Sequence, residues 1–159
     1  MLKANESYTR DFELRQLPAP PARKLAILTC MDARLVPSRM LGLKPGDAHV
    51  IRNAGGVVTE DVLRSLIISR HLLGTEELMI INHTDCGMLK FRDEELRARL
   101  VQETGSVASV PVSFQAFTNL EENVLDQIRK VKSHPWLSNR VSIRGFVYDV
   151  KTGRVKEVM

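Results

Sequence analysis

The sequence predicts an α/β fold, a mainly parallel β-sheet flanked by helices. Short apolar runs at 24–29, 47–53, 78–82 and 141–150 alternate with stretches of helical periodicity. Such alternation makes neighbouring strands parallel and lays the crossover helices on the faces of the sheet. Two polar clusters, Cys30-Met31-Asp32-Ala33-Arg34 and His83-Thr84-Asp85-Cys86-Gly87, each follow an apolar run directly. The carboxyl ends of strands are where α/β sheets collect their sites.

The elements follow in chain order. Residues 1–17 read as a short polar arm or helix, and Leu17-Pro18-Ala19-Pro20-Pro21-Ala22 stops it, because proline lacks an N–H and restricts the residue before it. Residues 1–22 are therefore set apart as an N-terminal arm. Lys24 to Thr29 is a buried strand ending at the first cluster. Asp47 to Asn53 is a second strand, entered through the turn signal Lys44-Pro45-Gly46-Asp47. Ala54-Gly55-Gly56 is a loop where backbone can approach a neighbour closely. Thr59-Glu60-Asp61 starts a helix with Val62, Leu63, Leu66, Ile67 and Leu73 as its apolar stripe, ending at Gly74. Leu78 to Asn82 is a third buried strand and delivers the second cluster. Glu94 to Val101 is helical, and 104–115, with Gly105 and Pro111, is loop. Asn119 to Lys132 is an amphipathic helix with Leu120, Val124, Leu125, Ile128 and Val131 on one side. Val141 to Val150 is a fourth strand, and Lys151-Thr152-Gly153-Arg154 turns the chain into a short last one.

A chain of 159 residues with 43% hydrophobic content fits one domain, 1–159, with an ordinary core. No apolar run approaches the length that crosses a bilayer, and the start lacks the apolar stretch of a secretory signal, so a cytoplasmic protein without membrane contact is expected. The net charge is +4, but lysines and arginines are scattered and aromatic residues make up 5%. That is no footprint for nucleic acid.

The chemistry lies in the two clusters. The chain has two cysteines, and each sits in one of them. Cys30, His83 and Cys86 supply two thiolates and an imidazole, a three-ligand set that suits Zn²⁺ and leaves a fourth position open for water to become hydroxide. Two other readings stand beside this one. The cysteines could form a disulfide, although a cytosol keeps thiols reduced. Otherwise His83 is a hydrogen-bonded core residue and Cys86 a buried hydrophobe. The remaining histidines, His49, His71 and His134, read as structural or exposed. Asp32 is the natural group to orient a zinc-bound hydroxide, since an ionised carboxylate only accepts. A bidentate Arg34–Asp32 pair would lower the Asp32 pKa and fix its direction. Broken, the pair would free Asp32 to become a fourth metal ligand. The same pair without a metal would be a loop ion pair with no chemistry.

These motifs resemble the β-class carbonic anhydrases, in a short prokaryotic branch. The likeness runs from about residue 22 to 150. It includes Cys-x-Asp-x-Arg, Arg52-Asn53-Ala54-Gly55-Gly56, His83-x-x-Cys86-Gly87-Met88 and Arg144-Gly145-Phe146-Val147-Tyr148-Asp149. It implies a zinc lyase that interconverts carbon dioxide and bicarbonate. Cys30, His83 and Cys86 are then the ligands, Asp32 and Arg34 the orienting dyad, and the Gly87 N–H a substrate contact. It further implies a homodimer or homotetramer, with the N-terminal arm on the partner subunit. Ile27 and Thr29 stand where members with a regulatory bicarbonate pocket carry Trp and Gly, which argues against that inhibition. Pro21 stands where the plant-like branch has a substrate-holding Gln. A few proteins of this fold hydrolyse carbon disulfide or carbonyl sulfide by the same attack, and a catalytically silent zinc-binding module is the alternative of a different class.

Overall fold

The computed structural model of the protein describes residues 1–106 and 113–158. Five strands, β1 (Leu25–Cys30), β2 (Ala48–Asn53), β3 (Glu77–His83), β4 (Ser142–Tyr148) and β5 (Val155–Val158), form one sheet in the order β2-β1-β3-β4-β5. Four of them run parallel, and only β5 is antiparallel, because the turn after β4 returns the chain directly as a hairpin. Among the described residues five α-helices accompany the sheet: α1 (Leu2–Arg10), α2 (Pro37–Leu41), α3 (Glu60–His71), α4 (Asp93–Thr104) and α5 (Leu120–Ser133).

β1 lies inside the sheet, and all six of its residues are buried. A strand covered on both faces reads as a continuous apolar run, which is why 24–29 was visible in the sequence. Its period of two splits the core. Ala26 and Leu28 join Leu78, Ile80, Val62, Leu66 and Val131 on the face covered by α3 and α5. Leu25 and Ile27 join Ile81 and Phe146 on the other face, where Met40 and Leu41 of the short α2 are the cover. Burying side chains such as Ile27 and Leu28 fully contributes about 1.5–3 kcal/mol each. Thr29, the one polar residue in β1 and also fully buried, donates its hydroxyl to the Ile81 carbonyl at 2.8 Å.

Thr59 caps α3 by accepting from the Val62 N–H, and Asn119 caps α5 by accepting from Glu122 N–H at 3.2 Å. α3 ends at His71, before the predicted stop at Gly74, and α4 runs on to Thr104 with Gly105 as its left-handed cap. The predicted loop at 104–115 is thus shortened at its start, and its part at 107–112, including Pro111, lies outside the described residues. α1 buries none of its residues. Among the described residues no helix is long and apolar enough to cross a membrane.

Parallel pairing of β1 with β3, with Thr29 opposite Ile81, brings the carboxyl ends of the two strands together. Cys30 is the last residue of β1 and His83 the last of β3. Both sit on the strands rather than after them, where the backbone ladder fixes their direction.

Candidate metal centre

The ligand atoms of Cys30, His83 and Cys86 lie within 4.8 Å of one another, on three buried side chains. Both cysteines are free thiols, which excludes the disulfide. Cys86 reaches the cluster because residues 84–86 turn immediately after β3, with Asp85 in the left-handed conformation at φ 54. Leu35, Met88 and, less deeply, Phe117 form an apolar wall around the sulfurs.

His83 tests whether this cluster fits a metal. Its Nδ1 lies 2.9 Å from the Thr84 carbonyl, which can only accept, so Nδ1 carries the proton. Nε2 is then a bare lone pair, and it is buried with no hydrogen-bond partner. A buried orphaned acceptor costs about 1–3 kcal/mol. A metal facing it removes that cost, and the backbone bond at Nδ1 is the partner that orients a ligating imidazole. The sulfurs fit as well. Hydrogen bonding from Cys86 carries the Cys30 thiol down to about 4, and the same contact pushes Cys86 up. The donor set N, S, S, in a buried site with one side left over, fits zinc.

Arg34 closes a fork on Asp32, with Nε to Oδ1 at 3.0 Å and Nη2 to Oδ2 at 2.8 Å, and the Arg34 backbone N–H adds a third bond to Oδ1 at 2.9 Å. The guanidinium and that N–H hold the Asp32 carboxyl far below the usual carboxylate range. Asp32 Oδ2 stands 3.8 Å from His83 Nε2, so the carboxylate faces the cluster. Gly87 begins the turn at 87–89 and is exposed, and a Cβ built on it would meet nothing within 4 Å. That side of the cluster is open.

Sequence reasoning gave Asp85 no role. In the structure Arg34 also donates Nη1 to Asp85 Oδ2 at 2.9 Å and Nη2 to the Asp85 carbonyl at 3.1 Å, so one guanidinium ties both clusters together. Lys90 and then Arg34 hold Asp85 down to about 2. The signal was its place inside the second cluster. Arg52 secures the first loop by donating to the Cys30 carbonyl at 2.9 Å and the Asp32 carbonyl at 2.7 Å. The other histidines stay apart from the cluster: His49 contacts Ser69 Oγ at 2.8 Å, His71 the Trp136 carbonyl at 2.9 Å, and His134 accepts from the Trp136 N–H at 3.3 Å.

Asp93 anchors the wall. Its carboxylate accepts from the Ser113 hydroxyl at 2.6 Å and from the N–H groups of Phe114, Gln115 and Ala116 at 2.8, 3.2 and 3.0 Å. These bonds, the Ser113 hydroxyl foremost, hold its pKa below the ordinary value of 3.8. A depressed carboxylate stabilises the fold fully above that ordinary value, and the contribution is lost as pH falls through the lower folded one. Amide exchange at Phe114, Gln115 and Ala116 is expected to accelerate on acidification below 3.8, beyond the intrinsic pH effect, and already at neutral pH in Asp93→Ala. Full protection of those amides in Asp93→Ala at neutral pH would contradict the anchor.

The profile of the carbonic anhydrase family matches residues 25–155. Beta-carbonic anhydrase 1 of Mycobacterium tuberculosis is 46% identical over 157 residues, which cover 99% of this chain and 94% of that protein. The carbon disulfide hydrolase of Saccharolobus solfataricus is 34% identical over 170 residues, covering 92% and 83%. The crystal structure of a carbonic anhydrase from Streptococcus mutans superposes with a TM-score of 0.94 at 44% identity, covering 99% of this chain and 95% of that one. With a cluster of two cysteines and one histidine at the ends of adjacent parallel strands, and relatives alike from end to end, the chain belongs to the β-class carbonic anhydrases.

Proposed function

We propose that this protein is a zinc-dependent lyase that interconverts carbon dioxide and bicarbonate, with Cys30, His83 and Cys86 as the metal ligands. The observation that carries the reading is the orphaned Nε2 of His83, buried and aimed at the two sulfurs. Zinc held there supplies a Lewis acid with one position open to water, and so a nucleophile near neutral pH. Asp32, ionised and directed by Arg34, would accept a hydrogen bond from a water or hydroxide held there and so fix its orientation toward the substrate. Arg34 keeps the carboxylate from swinging; with the fork broken, Asp32 is the conditional fourth ligand, 3.8 Å from His83 Nε2 as it stands. Gly87, on the open side, offers its N–H to a substrate oxygen. The wall of Leu35, Met88 and Phe117 keeps the sulfurs dry and suits a small apolar triatomic.

Stopped-flow measurement of carbon dioxide hydration by zinc-loaded protein tests the activity. Asp32→Ala is expected to keep one zinc per chain and lose about a hundredfold or more in turnover, the scale of losing a group that positions the nucleophile. Undiminished turnover in Asp32→Ala would remove the dyad from the mechanism. A second reading rests on the 34% identity to a carbon disulfide hydrolase. Carbon disulfide and carbonyl sulfide are linear triatomics open to the same attack, and sulfide release without carbon dioxide hydration would establish it. The higher identity to a carbonic anhydrase, 46%, favours the first.

The whole chain, 1–159, acts in this reading as one catalytic domain, with residues 1–22 as the arm. α1 leaves Leu2 and Tyr8 exposed and buries nothing on its own chain, which supports a homodimer or homotetramer in which the arm lies on a partner copy. Two reduced cysteines suit a cytoplasmic location.

A further inference from the structure

Three amide side chains lie buried behind the cluster, and neither the ligand set nor the Asp32–Arg34 fork uses them. Asn82, Asn123 and Gln127 are 1%, 6% and 2% exposed. Asn82 is on β3, next to His83; the other two are on α5. Asn82 Nδ2 donates to the carbonyls of Gly55 and Gly56 at 2.9 and 3.4 Å. Its Oδ1 accepts from Asn123 Nδ2 at 2.6 Å. Asn123 Oδ1 accepts from Gln127 Nε2 at 2.7 Å, and Gln127 Oε1 accepts from the Val58 N–H at 2.7 Å. The ends fix the direction of the whole chain of bonds. The two carbonyls can only accept and the Val58 N–H can only donate, so each amide has one orientation that satisfies both neighbours.

Both ends of this chain of bonds fall on the same stretch of backbone, 55–58. Asn53 ties the stretch again, donating to the Val57 carbonyl at 2.8 Å and accepting from its N–H at 2.9 Å. What the stretch carries is a contact with the metal cluster: the Gly55 N–H donates to Cys30 Sγ at 3.4 Å. An N–H bond to a thiolate stabilises the anion over the thiol and fixes the direction of its lone pairs, so it presents the sulfur in its ligating form and tunes the charge a bound metal receives. Apolar side chains of the same volume would fill the space without desolvating three amides, but they would give the 55–58 backbone no directional hold.

We propose that Asn82, Asn123 and Gln127 are positioning residues, through which α5 sets the Gly55 N–H on the Cys30 thiolate and so tunes the metal this sulfur holds. The inference rests on Cys30 being a ligand, as proposed above. Gln127→Met keeps the length of the side chain and removes both of its bonds. Val131→Ala, one turn further along α5, trims a fully buried apolar residue outside the chain of amides. Both variants are loaded with cobalt(II), whose sulfur-to-metal charge-transfer absorption reports its thiolates. Gln127→Met is expected to bind one cobalt per chain with a displaced charge-transfer band. Its zinc affinity, by competition with a chromophoric chelator, is expected to fall about tenfold. Val131→Ala is expected to melt earlier with the band and affinity of the parent. Should Gln127→Met fail to fold, Asn123→Ala cuts the same chain one link earlier and carries the same expectation. A parental band and affinity in the cut chain, or equal shifts in Val131→Ala, would overturn the proposal. Cys30→Ala separates the two readings: cobalt retained with the parental band would sink the ligand assignment itself, whereas loss of metal there beside a parental band in Gln127→Met sinks only the positioning role.

Discussion

Alanine at Cys86 is expected to empty the metal site and end catalysis while the fold survives. Three side chains hold the metal in this reading, and a neutral methyl cannot replace a thiolate. Zinc bound by cysteine and histidine is worth roughly 10 kcal/mol or more, so losing one of three donors costs about 3 kcal/mol, two orders of magnitude in affinity or more. The protein itself loses little. Cys86 is buried, but removing one sulfur leaves a void of about a methyl group, a matter of about 1 kcal/mol. Metal content by elemental analysis should fall from one zinc per chain to a small fraction, and carbon dioxide hydration to the uncatalysed rate, with the circular dichroism of the parent intact. The contrast with Asp32→Ala is the informative part, since that variant keeps its zinc and loses only turnover. Stoichiometric zinc and full turnover in Cys86→Ala would refute the ligand set.

The parts of this site that were legible in the sequence are the ones carried by local rules. β1 and β3 are covered on both faces, so they appear as unbroken apolar runs, and the clusters at their ends stand out against them. The parallel pairing that joins the clusters followed from alternation of strands and helices. What stayed hidden depends on contacts across the fold. Asp85 became a partner of Arg34 only when β1 and β3 lay side by side, across 51 positions. Asn123 and Gln127 sit at helical spacing on α5, where polar residues read as a solvated face, yet both are buried and bonded inward toward Asn82. The periodicity of one helix cannot show which of its polar residues finds a buried partner. α2 is five residues long, too short to leave a periodic trace, yet its Met40 and Leu41 cover the second face of the sheet.

Gly56 is where backbone geometry and the metal site meet, and alanine there is expected to be among the most damaging small substitutions in the chain. Two penalties act at once. Its φ is +61°, a conformation that costs a non-glycine residue about 1 kcal/mol or more. The added Cβ would lie 2.9 Å from both the Cys30 nitrogen and the Thr29 carbonyl carbon, and 3.0 Å from Asn82 Nδ2. Two of those atoms are the backbone of β1, a central strand that cannot yield without disturbing its ladders to β2 and β3. Overpacking of this kind adds about 1–3 kcal/mol. Together the two penalties reach roughly 2–4 kcal/mol, or on the order of 10 °C in melting temperature for a domain of this size. Gly42 supplies the comparison, because its φ is +63° but a Cβ there would meet nothing within 4 Å. Gly42→Ala therefore carries the conformational cost alone, about 1 kcal/mol, and should melt only a few degrees below the parent. Equal melting temperatures for the two variants would show that the close approach to β1 is relieved cheaply. A large gap, with weaker zinc binding confined to Gly56→Ala, is the result expected if the turn at 54–56 is braced against the strand that presents Cys30.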